Sequence, residues 1–108
     1  MMIAGCIIAP NTGRSSRILV RGIGPSLSGL SNRLSDPVIE LHDPNGLLLA
    51  SNDDWKANQA EVEATGIPPT NDKESALVAD LLPSNYTVVL KGNNNGSGVG
   101  LVEVYRIQ

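Results

Sequence analysis

The sequence predicts an all-β fold, an antiparallel two-layer β-sandwich with about seven strands and one short helix, and three observations predict it. The apolar fraction of 41% includes no Phe, one Trp and two Tyr, so a core must be assembled from Val, Ile, Leu and Ala, which pack well on sheets. Eleven Gly and seven Pro lie between short apolar runs, the punctuation of a chain with many turns rather than of a helical bundle. Connections between the runs are short, which favours antiparallel neighbours. At 108 residues the chain suffices for one core and not for two, giving a single domain over 1–108.

Met1 to Ala9 is apolar and uncharged and reads as a buried strand, with Cys6 a small core hydrophobe. Ile3-Ala4-Gly5-Cys6 has the small-residue pattern of a lipidation box, but no basic and apolar stretches stand upstream of it. Pro10-Asn11-Thr12-Gly13 is a turn. Ser16 to Gly22 is the second strand, with Ile18 and Val20 on one face and Leu19 and Arg21 on the other. Gly22 to Gly29 makes a corner between sheets, with one helical turn at Pro25 to Leu30. A dinucleotide loop would need glycine where Leu27 stands, and a nucleophile elbow would need it where Ser28 stands.

Val38 to Trp55 is the organising hairpin. Pro44 presets φ and Asn45-Gly46 tolerates positive φ, so the chain reverses at Asp43-Pro44-Asn45-Gly46. Lys56 to Thr65 has helix-forming composition, with Ala57, Ala60 and Ala64 at helical spacing and Gly66 and Pro68-Pro69 as a stop. Glu74 to Leu82 is a strand in which Ala76 and Val78 oppose Leu77, Ala79 and Leu81. Pro83-Ser84-Asn85 turns it into Tyr86 to Lys91, where Tyr86, Val88 and Leu90 alternate with Thr87, Val89 and Lys91. Gly92 to Gly98 is a polar loop. The last strand, Val99 to Ile107, is apolar on both faces up to Glu103, which places it inside a sheet rather than at an edge.

Composition excludes several functions. The net charge of −3 is unevenly spread, with +4 over residues 1–35, −8 over residues 36–80 and +1 over residues 81–108. A nucleic-acid binder needs a basic surplus with interleaved aromatics, the opposite balance. No run reaches the roughly 20 apolar residues that span a bilayer. One cysteine rules out an internal disulfide framework and a multi-cysteine metal site. His42, the sole histidine, lies within a strand, and neither Ser26 nor Ser28 has a visible base, so the chain is expected not to be an enzyme.

Val-Ile-Glu-Leu-His-Asp-Pro-Asn-Gly, Leu-Ala-Ser-Asn-Asp-Asp, Glu-Ser-Ala-Leu, Leu-Leu-Pro-Ser-Asn-Tyr-Thr-Val-Val-Leu and Gly-Val-Gly-Leu-Val-Glu-Val-Tyr follow one another in this chain. In that order they resemble the bacterial pre-peptidase C-terminal domain family. With Arg-Ile-Leu-Val-Arg-Gly-Ile-Gly-Pro-Ser-Leu ahead of them, they are more similar still to a related repeat of large secreted proteins of environmental bacteria. The resemblance spans nearly the whole chain and rests on turns and strands. It implies a non-catalytic, jelly-roll-like sandwich in an extracellular or cell-surface protein.

Two functions follow as expectations. The first is a binding or attachment module for polysaccharide or the cell envelope, with Trp55 and Asn52 as ligand-binding residues, because sugar sites favour an aromatic face flanked by hydrogen-bonding groups; Trp55 could instead simply cover the open end of the sandwich. The second is a structural subunit that self-assembles through its apolar N-terminal strand, the +4 and −8 segments setting a head-to-tail polarity that makes open filaments. Calcium is a possible cofactor, with Asp53 and Asp54 leaving one strand and Asp72 and Glu74 entering the next as its oxygen ligands. The competing use of Asn52-Asp53-Asp54 is to cap the helix that begins near Trp55.

Overall fold

The computed structural model describes residues 2–8, as backbone, and residues 16–107. In chain order the elements are β1 (Met2–Ile8), β2 (Ser16–Ile23), β3 (Pro37–His42), β4 (Leu48–Asn52), a 3-10 turn (Trp55–Asn58), α1 (Gln59–Glu63), β5 (Ser75–Leu81), β6 (Ser84–Gly92), a second 3-10 turn (Asn93–Asn95) and β7 (Leu101–Arg106). The fold is all-β with one short helix. The strand pairs are antiparallel, in one sheet of order β1-β6-β3-β4 and another of order β5-β2-β7. The expected turn at Pro10 to Gly13 and the side chain of Cys6 lie outside the described residues.

Period-two alternation decides what each strand buries. Ile18 and Val20 of β2, Ile39 and Leu41 of β3, Leu77 and Leu81 of β5, and Tyr86, Val88 and Leu90 of β6 form one core fed by both sheets. Each such aliphatic side chain contributes about 1.5–3 kcal/mol by leaving water. The opposite face of β2 and β5 is not left to solvent. Leu19 and Ala76 pack there with Trp55 and Val62, and Val78, Tyr105 and Ile107 close round them. The 3-10 turn and α1 thus cover the outer face of the three-stranded sheet.

That second cluster explains two departures from expectation. The last strand is an edge strand and does not lie inside its sheet, since β2 is the central strand between β5 and β7. Its apolar residues run on both faces because Val102 joins the main core while Tyr105 joins the outer cluster. In the helical segment, Ala57, Ala60 and Ala64 are exposed and Val62 is the residue buried, so one branched side chain and the indole make the contact that alanine spacing suggested.

The hairpin reverses where the sequence requires it. Gly46 N–H donates to the Asp43 carbonyl at 3.0 Å, and the Asp43 carboxylate accepts from the N–H groups of Asn45 at 2.9 Å and Leu47 at 2.8 Å. Gly46 alone takes positive φ, +85°, and Asn45 does not. A register shift between Leu41 and His42 then leaves Leu49 without a direct partner on β3.

Candidate functional site

Asn52 closes β4 against β5. Its Oδ1 accepts from the Ala76 N–H at 2.9 Å and its Nδ2 donates to the Asp54 carbonyl at 3.0 Å. Trp55 follows it into the outer cluster with 6% of its surface exposed. The indole N–H donates to the Asn71 carbonyl at 3.1 Å, and the backbone N–H of Trp55 donates to the Glu74 carbonyl at 3.0 Å. Stacking on a sugar needs an open ring face, whereas this ring lies against Leu19, Val62 and Ala76. Asp54 precedes the 3-10 turn without a side-chain capping bond.

The four acids grouped by sequence separate in space. Glu74 is fully buried. Its Oε2 accepts from Gly24 N–H at 3.0 Å, Ser26 N–H at 2.9 Å and Ser26 Oγ at 2.6 Å, while Oε1 accepts from Asn71 N–H at 3.3 Å. The carboxylate therefore knots the corner after β2 to the turn before β5. Gly24 is where the corner comes closest to its neighbours, since a Cβ there would meet the Leu34 carbonyl. Asp72 is exposed and pairs with Lys56 at 3.4 Å.

Asp53 and Asp54 instead meet Asp36, which precedes β3. One carboxylate oxygen from each of these three falls within 4.8 Å of the others. Asp36 and Asp53 are half-buried and Asp54 is exposed. Asn93 binds them together, its Nδ2 donating to Asp36 Oδ2 at 3.1 Å and Asp53 Oδ2 at 3.2 Å, and its N–H donating to the Asp36 carbonyl at 2.9 Å. The other oxygens, Asp36 Oδ1 and Asp53 Oδ1, are buried and receive no donor. Burial first, then the charges of Asp36 and Asp54 and a hydrogen bond shared with Asp36, raise the Asp53 pKa above its ordinary 3.8, with Lys73 opposing. A proton shared between the two carboxyls, or a hard cation, satisfies these oxygens.

A third acidic group lies on the outer face of the four-stranded sheet. Glu40 accepts from Lys91 Nζ at 2.7 Å and from His42 Nε2 at 3.0 Å, and His42 Nδ1 lies 3.2 Å from the Gly46 carbonyl. Both partners of the ring are acceptors, so the imidazole makes both bonds only when doubly protonated. Glu40 foremost, then the Gly46 carbonyl, accordingly raise the His42 pKa above 6.5, and Lys91 followed by His42 lowers that of Glu40 below 4.5.

Asp36 and Asn93 carry no signal in the sequence as partners of Asp53. One is a lone acid before Pro37, the other the first of three asparagines, and only the sheet order brings them together. No protein-family model, no curated protein and no solved structure matches this chain.

Proposed function

We propose that the chain is a non-enzymatic attachment module of an extracellular or cell-surface protein. Its fold is read as a jelly-roll-like two-layer sandwich of the pre-peptidase C-terminal kind, and it joins a second copy of itself through the edge of β4. The observation that carries this reading is the exposure of Leu47, Leu48 and Leu49, at 63%, 49% and 44%, beside and within a strand at the end of its sheet. Natural edges are commonly blunted by charge or proline, and the run from Leu47 to Asn52 contains neither. The edges of the other sheet differ. Asp80 on β5 pairs with Arg17, and Glu103 on β7 pairs with Arg21.

A twofold contact between β4 edges sets leucine against leucine and opposes no like charges, which makes a second copy the best-matched partner. The N-terminal strand is the other end of the same sheet and, like β4, pairs inward with one neighbour, from Met2↔Leu90 to Ile8↔Ser84, so its outer edge is the alternative contact. Light scattering across a concentration series tests the reading. Dimers of the parent that are lost in Leu48→Lys support it, and a parent that stays monomeric at millimolar concentration ends it.

The two donor-less oxygens favour a second role, stabilisation by calcium held at Asp36, Asp53 and Asp54. In this reading Asp36 replaces Asp72 and Glu74 of the sequence-based set, since those two already bind Lys56 and the Gly24 to Ser26 corner. Melting in calcium and in chelator tests it.

A further inference from the structure

We propose that the cleft between the Arg33 loop and the turn before β5 binds a sulfate or carboxylate group carried by an acidic polysaccharide. The cleft has a volume of about 340 Å³ and is lined by Pro25, Ser31, Arg33, Ser35, Asn71 and Lys73. That is room for one charged sugar unit, at the lower end of the range for small-ligand sites. Two cations, two hydroxyls and an amide line it, and no carboxylate does.

In a chain of net charge −3 this is a local reversal of sign. Among the described residues Arg17, Arg21, Lys56 and Lys91 each pair with a carboxylate, while Arg33, Lys73 and Arg106 do not. Lys73 is near enough to Asp53 to lower its pKa, but it forms no ion pair with it. Two of these three uncompensated cations therefore lie on one cleft, and the third, Arg106, stands apart on β7.

Both walls are built. Arg33 Nη1 donates to the carbonyls of Pro25 at 2.8 Å and Leu27 at 2.9 Å, which fixes the guanidinium without neutralising it. The chain on either side of Arg33 is pinned by Leu34 N–H to the Val99 carbonyl and Val99 N–H to the Asn32 carbonyl, both at 2.8 Å. On the other wall, Lys73 N–H donates to Asn71 Oδ1 at 2.9 Å. The buried Glu74 carboxylate joins the walls, since it accepts from the corner that holds Arg33 and from Asn71. A guanidinium with free donors, an exposed ammonium and neighbouring hydroxyls form the donor set that recognises an oxyanion. This inference goes beyond the β4 contact and does not depend on it, because its readout is polymer binding rather than self-association.

The test measures binding of the parent to dextran sulfate, polygalacturonate and neutral dextran, and to free sodium sulfate, at low ionic strength. Binding to one or both acidic polymers and not to dextran, weakening as salt rises, is expected. Lys73→Glu and Arg33→Ala should each weaken it about tenfold or more. Lys73→Glu also adds a negative charge near Asp53, so Lys73→Gln, which removes the cation alone from an exposed side chain, accompanies it. Lys73→Gln should weaken binding while leaving the melting temperature near that of the parent, which keeps the test valid if Arg33→Ala loosens the loop. Arg106→Glu, an exposed cation on β7, should bind as the parent does. Four results overturn the proposal: equal binding to neutral dextran, unchanged binding by Lys73→Glu, an equal loss in Arg106→Glu, or free sulfate binding as tightly as the polymers.

Discussion

Glu74 and Asp53 both carry carboxylates out of water, at the two ends of the segment that links β4 to β5, and they end in opposite conditions. Glu74 is fully buried with four donors on its two oxygens, while Asp53 is half-buried with one oxygen that has none. The depth of burial does not decide which site is strained. Backbone N–H groups aimed at a carboxylate replace its hydration, whereas a second carboxylate beside it adds repulsion to desolvation. The first arrangement builds structure, and the second leaves a site that a proton or a cation would relieve.

The largest expected effect breaks the first side of this contrast. Glu74→Gln places an amide donor among groups that are themselves donors, and it should cost about 3 kcal/mol or more in urea denaturation. A loss below about 1 kcal/mol would show that the knot does not hold the corner. The next prediction concerns the second side. If calcium binds at Asp36, Asp53 and Asp54, an excess of about a hundredfold over its dissociation constant stabilises the parent by about 2.7 kcal/mol relative to chelator, and Asp53→Asn removes the difference. Without calcium, Asp53→Asn should leave stability at pH 7 unchanged or slightly higher.

The pH dependence sharpens the same point. With its folded pKa raised, Asp53 contributes stability that is fully present below 3.8 and is lost as pH rises through the folded value, so Asp53→Asn should flatten the melting profile there. Ser26→Ala removes one of the three donors on Glu74 Oε2 and leaves two, for a loss of about 1 kcal/mol by thermal melting. The smallest effect belongs to Glu40, which meets its cations on the half-buried outer face of the four-stranded sheet. His42 contributes stability that is present below 6.5 and lost as pH rises through its raised value, and Glu40 contributes stability present above 4.5 and lost as pH falls through its lowered value. The trio is therefore most favourable between pH 4.5 and 6.5, and His42→Gln should reduce the change in melting temperature between pH 5.5 and 8. An unchanged difference would remove the ring from the network.

Much of the fold was legible, and much less of the site. Strand faces could be read because alternation in Ile18 to Arg21, Ala76 to Leu81 and Tyr86 to Lys91 maps directly onto the two sides of a sheet. The Asp43 to Gly46 turn could be read because its chemistry is local. The edge position of β7 could not, since an apolar run on both faces has two causes and composition does not separate them. Glu74 opens a strand in the sequence and reads there as a calcium ligand. Its burial depends on the corner at Gly24 to Ser26, some 50 residues earlier in the chain. Asp53 and Asp54 stand out in the sequence for their density of oxygens, but their partners Asp36 and Asn93 are neighbours only through the pairing of β3 with β4 and β6.

The register of β1 has a consequence in time. Met2 pairs with Leu90 and Ile8 with Ser84, so the first strand waits for a partner on the order of 80 residues further along the chain. At ribosomal speeds of about 5–20 residues per second, that interval is about 4–16 s during which an uncharged apolar strand has no ladder to join. The hairpin of β3 and β4 closes within a few residues and does not wait. Folding of such a topology is slow and ends with its non-local strands, so pulse-labelled hydrogen exchange should protect the amides of β3 and β4 before those of β1. During that delay the exposed strand is open to capture by a neighbouring chain, which makes the yield of folded protein a matter of crowding and synthesis rate as well as of stability.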